Sequence, residues 1–153
     1  MQKDEADFSH SSVLLRETLA VIRASECGFV VDATLGLGGH AEAILKCSPT
    51  VIVLGIDQDE VALQLASERV TKYGDRFKAV HGNFSAVKLI IENADIGSPD
   101  AIIADLGVSS LQFDDAKRGF SFRFDAPLDM RMDPNSGGPT AADLLRETPE
   151  FEL

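Results

Sequence analysis

The sequence predicts a doubly wound α/β fold built on a mainly parallel sheet, and three observations carry that prediction. Short, largely apolar runs recur at 29–31, 51–56, 77–80 and 101–104, and 51–56 is continuous without polar alternation. Runs of that kind suit strands covered on both faces. The stretches between them carry apolar residues at helical spacing, and strands alternating with helices are the pattern of a parallel sheet with crossover helices. Three of the runs also stop at an aspartate: Asp32, Asp57 and Asp105.

Taken in order, Ser11 and Ser12 are placed to cap a first helix whose apolar stripe is Leu15, Leu19 and Ile22. Phe29, Val30 and Val31 form the first strand. The turn Thr34-Leu35-Gly36-Leu37-Gly38-Gly39 then leads into a helix carrying Ala41, Ile44 and Leu45. The run 51–56 is the second strand, followed by a helix that turns Val61, Ala62, Leu65 and Ala66 inward. A short strand near 77–80 precedes a helix starting at Ser85 with Val87, Ile90 and Ile91 on its apolar face, and the fourth strand ends at Asp105. From 106 to 139 periodicity disappears and Gly, Pro, Ser, Asp and Phe accumulate. A loop this long in a compact domain is usually functional or disordered. Thr140 with Asp143 three residues on is an acidic capping box that opens a last helix with Leu144 and Leu145.

Composition sets the outer bounds. A chain of 153 residues has the size of one domain, 1–153, and 44% hydrophobic content is enough to bury a core. The four predicted strands make a sheet that is incomplete at its C-terminal end. Residues 1–7 are polar and net acidic, and no apolar run reaches membrane-spanning length, so the expected location is the cytoplasm. Cys27 and Cys47 form no CxxC spacing, and His10, His40 and His81 are scattered, so no metal site is expected.

In a doubly wound sheet the C-terminal ends of the strands share one edge, and ligands bind there. Asp32, Asp57 and Asp105 should therefore meet in one crevice. The glycine turn offers backbone where a ligand must approach closely, and the helix after it presents unpaired N–H groups. Two ligands fit this description. Gly36-x-Gly38-x-x-Ala41 satisfies the permissive dinucleotide fingerprint, with Asp57 where a ribose acid belongs, so NAD and an oxidoreductase half remain open. The extra carboxylates favour a cation such as the sulfonium and ammonium of S-adenosyl-L-methionine, since a unit charge at ~6 Å contributes about 3 kcal/mol at an effective dielectric near 20. Asp57 can accept from both ribose hydroxyls or stand solvated at the start of the next helix. His40 can orient the ligand's carboxylate or be a plain helix N-terminal residue. No Walker phosphate loop is present, because no turn glycine is followed by Lys and then Ser or Thr.

The motifs carry a resemblance. His10-Ser11-Ser12-Val13-Leu14-Leu15-Arg16-Glu17 and Asp32-Ala33-Thr34-Leu35-Gly36-Leu37-Gly38-Gly39-His40 resemble the bacterial family that methylates the exocyclic N4 of a cytosine in small-subunit ribosomal RNA. The longer match is Asp105-Leu106-Gly107-Val108-Ser109-Ser110-Leu111-Gln112, then Arg118-Gly119-Phe120-Ser121-Phe122, then Pro127-Leu128-Asp129-Met130-Arg131-Met132-Asp133. It departs from the family where Leu111 replaces a common proline and in the segment from His81 to Phe84.

The resemblance implies a Rossmann-like class I methyltransferase with S-adenosyl-L-methionine as cofactor and small-subunit ribosomal RNA, or the assembling subunit, as partner. It also implies possible homodimers of the complete protein. By position it implies donor binding by Gly38, Gly39, His40, Asp57, Phe84, Asp105 and Gln112. For Phe84 the competing role is core packing, and for Gln112 it is organising the loop. Amino-group methylation implies acceptors just after the fourth strand: Asp105, the backbone of 106–109 and the Ser109 side chain.

Complete members of that family carry an inserted helical domain and further strands, so the resemblance covers their N-terminal part. A fragment that binds donor without catalysis is the second expectation. The net charge of −11 conflicts with an RNA-gripping surface confined to this chain, since Lys and Arg supply most non-specific affinity for phosphates. Lys117, Arg118, Arg123 and Arg131, interleaved with Phe113, Phe120, Phe122 and Phe124, either grip phosphate and stack a base or belong to a charged loop packed over the inserted domain.

Overall fold

The computed structural model describes residues 12–153. Its sheet has four parallel strands in the order β3-β2-β1-β4, formed by β1 (Phe29–Asp32), β2 (Ile52–Asp57), β3 (Phe77–His81) and β4 (Ala101–Ile103). Helices α2 (Gly39–Cys47) and α3 (Glu60–Val70) connect the first three strands stepwise towards one edge. Helix α4 (Val87–Ala94) returns the chain across the sheet to the other side of β1. The direction of winding therefore reverses between β1 and β4, at the place where open α/β sheets hold ligands.

The central runs of β1 and β2 are buried on both faces, as expected, whereas the edge strands β3 and β4 are not: Lys78, Ala79 and Ile102 are exposed. Val30 and Val53 point to the side of Ala41, Ile44, Leu45 and Ala66, whereas Phe29, Val31, Leu54 and Ile56 point to the side of Val87, Ile90 and Ile91. Side chains such as Val30, Val31 and Leu54 are fully buried, and each contributes roughly 1.5–3 kcal/mol relative to exposure. Gly55 lies on the first face because the chain needs its missing side chain there: a Cβ would stand 2.7 Å from Leu35, which the glycine turn folds down onto β2. Asp100 ties the start of β1 to β4, its Oδ2 accepting from the N–H groups of Gly28 and Phe29 at 2.8 and 2.9 Å.

Several local expectations shift. Helix α1 (Leu15–Val21) begins after Leu14 in left-handed backbone with no side-chain cap, so Ser12 does not cap it, and Ser11 lies outside the described residues. Leu19 and Ile22 still pack against the first core face. The helix expected from Ser85 opens with a short 3-10 turn at Phe84–Ala86 before α4. The region 106–139 is not uniformly irregular: it contains α5 (Ser110–Asp114), capped reciprocally by Ser109 and Gln112. That S-x-x-Q pattern is a legible capping box that the loss of periodicity obscures. The acidic box at Thr140 and Asp143 opens α6 (Ala141–Glu147) as expected.

Beneath the sheet, Glu42 of α2 joins α2 to α3 and the segment after it. Its carboxylate binds Arg69 Nε and Lys72 Nζ at 2.9 Å each and Lys46 Nζ at 3.1 Å. Burial acts to raise its pKa, but hydrogen bonds from Lys72, Arg69 and Lys46 overrule it and bring it down to about 2. Because the folded value lies below the usual 4.5, the stabilisation is complete above that pH and is lost as pH falls towards 2. Glu42→Gln should cost about 1–3 kcal/mol at pH 7, because Arg69 is left largely buried without its counter-charge. Urea unfolding at pH 7 and pH 3 should show the difference between variant and parent shrinking at the lower pH.

Candidate donor site at the switch point

After β1 the chain divides its backbone bonds between the two neighbouring strands. The N–H of Ala33 donates to Ile103 O at 2.8 Å, and that of Leu35 to Ile56 O at 2.9 Å, so the glycine turn is laid from β4 towards β2. Gly38 caps α2 in left-handed backbone (φ 74°), and a Cβ there would press on Ala66 of α3 at 3.1 Å. Gly36 is different. It is also left-handed (φ 52°), but a Cβ would meet only Thr34 O at 3.9 Å, so its face is open space. At Gly39 a Cβ would collide with Ser12 Oγ.

The three strand-end aspartates converge. Asp32 pairs across the sheet with Gly55 on one side and Ile103 on the other, and Asp57 pairs with His81. Asp32 is 1% exposed, and its carboxyl is raised to about 7. Burial is the chief cause, and the charges of Asp57 and Asp105 add to it against the backbone N–H groups of Thr34 and Ala41. Thr34 N–H donates to Asp32 Oδ1 at 3.3 Å, while Oδ2 is buried with no partner among the described residues. Thr34 also accepts the Asp105 N–H on its Oγ1 at 2.7 Å, which fixes the tip of β4 against the turn. Thr34 was missed by sequence reasoning, since a threonine in a turn carries no distinguishing pattern.

Asp57 uses its carboxylate to bind the turn. Oδ2 accepts from Gly36 N at 2.7 Å and Oδ1 from Asp59 N at 2.9 Å, and each oxygen keeps a further lone pair for a ligand. The solvated alternative for Asp57 is thereby set aside. His40 lies in the first turn of α2, 7% exposed, with Nε2 buried and unpartnered among the described residues. Phe84 is 42% exposed, so the core alternative fails for it. It follows Asn83, whose Nδ2 donates to Gln58 Oε1 at 2.9 Å and so holds that corner beside the end of β2. Asp105 is exposed at the tip of β4.

Two expected residues are engaged in organising the loop. Gln112 is buried, with Oε1 accepting from Ser109 N at 2.9 Å and Nε2 donating to Asp59 Oδ2 at 3.1 Å. Ser109 Oγ accepts from Gln112 N at 3.4 Å as the cap of α5. Among the cations, Arg118 and Arg131 are turned inward onto Asp59 and Asp129, while Arg123 is exposed, pairing with Asp114 and lying 5.7 Å from the Phe124 ring. Phe122 is fully exposed. Arg118 and Arg131 thus hold the loop's own fold, while Arg123 and Phe122 face outward. Sequence reasoning also missed Asp59, although an aspartate directly before an apolar-periodic helix is an N-cap signal: its Oδ1 accepts from Val61 N and Ala62 N.

The residues present fit a cationic nucleoside ligand. Open backbone at Gly36, free lone pairs on Asp57 and the orphaned Asp32 Oδ2 and His40 Nε2 line the segments around one turn. The mutual repulsion of three carboxylates is relieved by a positive charge. No group of His, Cys, Asp and Glu suited to holding a metal occurs among the described residues, and no described helix is long and apolar enough to cross a membrane.

Comparison with known proteins agrees. A protein of Picosynechococcus sp. named Ribosomal RNA small subunit methyltransferase H is 50% identical over 148 residues, covering 97% of this chain and 49% of the relative. Relatives of the same name from Beutenbergia cavernae (48% identical, 97% of this chain, 45% of the relative) and Carboxydothermus hydrogenoformans (47%, 96% and 47%) match similarly. The chain therefore spans about half the length of the curated relatives it matches. Among solved structures, one assigned to the caffeoyl-CoA O-methyltransferases from Staphylococcus aureus aligns with TM-score 0.50 at 19% identity (61% of this chain, 44% of that one). Another, assigned as an O-methyltransferase from Klebsiella pneumoniae, aligns with TM-score 0.51 at 14% identity (65% and 46%). These two share the fold, a Rossmann-like class I methyltransferase sheet. A methylase family on this fold implies S-adenosyl-L-methionine as cofactor, and the model of the MraW methylase family matches residues 7–153, so the chain belongs to the MraW methylase family.

Proposed function

We propose that this chain forms the donor-binding part of an enzyme that uses S-adenosyl-L-methionine to methylate the exocyclic N4 of a cytosine in small-subunit ribosomal RNA. The observation that carries the reading is the meeting of Asp32, Asp57 and Asp105 around an open glycine turn at the switch point of the sheet. The relatives' printed name supports the RNA substrate, and that substrate would place the protein in the cytoplasm.

In this reading Asp57 accepts from the ribose hydroxyls, each charge-assisted bond contributing on the order of 1.5–3 kcal/mol. Gly38, Gly39 and His40 receive the methionine end beside the ionised Asp32, and Phe84 packs along the adenine. The donor, when bound, supplies the electrophilic methyl group.

The cytosine N4 lone pair is delocalised into the ring, so attack needs acceptors that draw on its hydrogens and align it, more than a strong base. Asp105, exposed at the tip of β4, is the side chain best placed to accept an N4 hydrogen. Ser109 contributes by fixing the turn through its cap on α5, and the backbone carbonyls of 106–109 complete the acceptor set. Gln112 then acts on the donor through the loop.

Calorimetric titration with S-adenosylhomocysteine should give saturable heat, and NAD none. Asp57→Ala should weaken the first by about two to four orders of magnitude, from the loss of two charge-assisted bonds. Heat from NAD but not from S-adenosylhomocysteine would sink the donor assignment. Binding without methyl transfer to small-subunit RNA would support the alternative of a donor-binding remnant. In the complete enzyme, Asp105→Asn should lower the single-turnover rate more than it lowers donor affinity.

The Asp32 carboxyl gives a pH test. Its folded value of about 7 exceeds the ordinary 3.8, so without ligand the folded state favours the protonated form, and stability declines as pH rises between those values. A cationic ligand favours the ionised form. Affinity for S-adenosyl-L-methionine, which carries the sulfonium, should therefore fall about fivefold from pH 7 to pH 6, whereas Asp32→Asn should remove that slope. A flat parent profile between pH 6 and 8 would remove Asp32 from the site.

A further inference from the structure

The turn that carries Asp57 is bonded into the 106–139 region by one buried carboxylate. Asp59 is 3% exposed and makes bonds in three directions. Its N–H donates to Asp57 Oδ1 at 2.9 Å, and its Oδ1 caps α3. Its Oδ2 accepts from Arg118 Nη1 at 2.6 Å and from Gln112 Nε2 at 3.1 Å. Arg118 in turn donates from Nη2 to the carbonyls of Arg131 and Met132 at 3.1 and 2.7 Å. A continuous line of hydrogen bonds thus runs from Gly36 N–H through Asp57, Asp59 and Arg118 to the backbone at 131–132.

We propose that Arg118 is a positioning residue, a latch that couples donor binding at Asp57 to the seating of the 106–139 region. The proposal rests on the donor reading of the Asp57 turn.

The energetics favour a role in geometry over one in bulk stability. An ion pair buried this deeply, with an Arg118 side chain 11% exposed, recovers little beyond its desolvation cost. Arg118 Nε is buried and unpartnered among the described residues, which removes another bond from the balance. Burial acts to raise the Asp59 pKa, yet the hydrogen bonds from Arg118 and Gln112 hold it below the ordinary range, so Asp59 is ionised throughout the working pH. The guanidinium meets the carboxylate through Nη1 and both carbonyls through Nη2, two points that the single nitrogen of an ammonium cannot occupy together. Gly119 lets the chain double back tightly after Arg118: its backbone is left-handed (φ 72°), and a Cβ would run into the backbone at 127–129.

Coupling of this kind is reciprocal: if the seated loop strengthens donor binding, the donor must strengthen loop seating by the same factor. Arg123, whose side chain is 64% exposed, provides a reporter inside the loop. Trypsin cleavage after Arg123, followed by mass spectrometry, should be slowed in the parent by S-adenosylhomocysteine. In Arg118→Met the calorimetric affinity should weaken about tenfold, a coupling in the ordinary range, and the ligand should no longer protect the cut. Arg118→Lys should restore part of both effects, since an ammonium can meet Asp59 but not both carbonyls as well. Affinity within twofold of the parent together with full protection in Arg118→Met would overturn the latch.

If Arg118→Met does not fold by circular dichroism, Arg118→Lys carries the test alone: a severalfold loss of affinity with reduced protection supports the latch, and parental values overturn it. Should the parent chain give no heat with S-adenosylhomocysteine, the donor reading fails and the coupling with it. The cleavage rate of the ligand-free chain then judges the loop contact separately: a faster cut after Arg123 in the Arg118 variant shows that Arg118 holds the loop, and equal rates show that it does not.

Discussion

Strand β1 is hydrogen-bonded on both edges, and the rest of the site is a consequence of that pairing. With β2 on one side and β4 on the other, the end of β1 is the place where the winding of the sheet reverses, so Asp32 arrives in the interior. The next residues inherit the split: Ala33 bonds to β4 and Leu35 to β2, which stretches the turn across the gap between the two strands. A side chain at 55 would prevent Leu35 from packing there. The glycine turn is therefore held open by contacts behind it, leaving its front free.

Charge is arranged around this frame in two unlike ways. Under the sheet, Glu42 is ionised and matched by three cations, and it fastens helices together. At the switch point, Asp32 has no matching cation among its described neighbours, and the charges of Asp57 and Asp105 push its carboxyl further towards the neutral form. The first cluster is complete as it stands. The second has a deficit of positive charge, and that deficit distinguishes a binding site from a structural ion pair.

The sheet and its edge were legible because each strand carries its own signal. Unalternated runs such as 51–56 identify strands buried on both faces, and the terminal aspartates mark which end of them matters. The glycine turn was legible for the same reason, although its pattern alone left two ligands open. The 106–139 region was legible as a family signature but not as structure, because its order comes from contacts distant in sequence. Arg118 reaches Asp59 across 59 positions and Gln112 reaches it across 53, and no local periodicity records such pairs. Ser12 was misread for a related reason: a serine ahead of an apolar stripe satisfies the capping rule, yet the helix starts three residues later, behind a left-handed Leu14.

The cations of that region bear on how an acidic chain would approach RNA. Arg118 and Arg131 satisfy carboxylates and carbonyls of their own chain, so neither is available to neutralise phosphates. Arg69 is committed to Glu42 in the same way, whereas Lys46 and Lys72 reach Glu42 from side chains that stay mostly exposed. Outward the region presents Phe122, fully exposed, Phe113 and Phe124, partly so, and the cations Lys117 and Arg123, the latter beside Phe124. Aromatic faces stack on unpaired bases whatever the net charge, whereas phosphate affinity scales with the number of available cations. An exposed aromatic cluster of this kind offers stacking faces that the chain's acidic balance does not weaken.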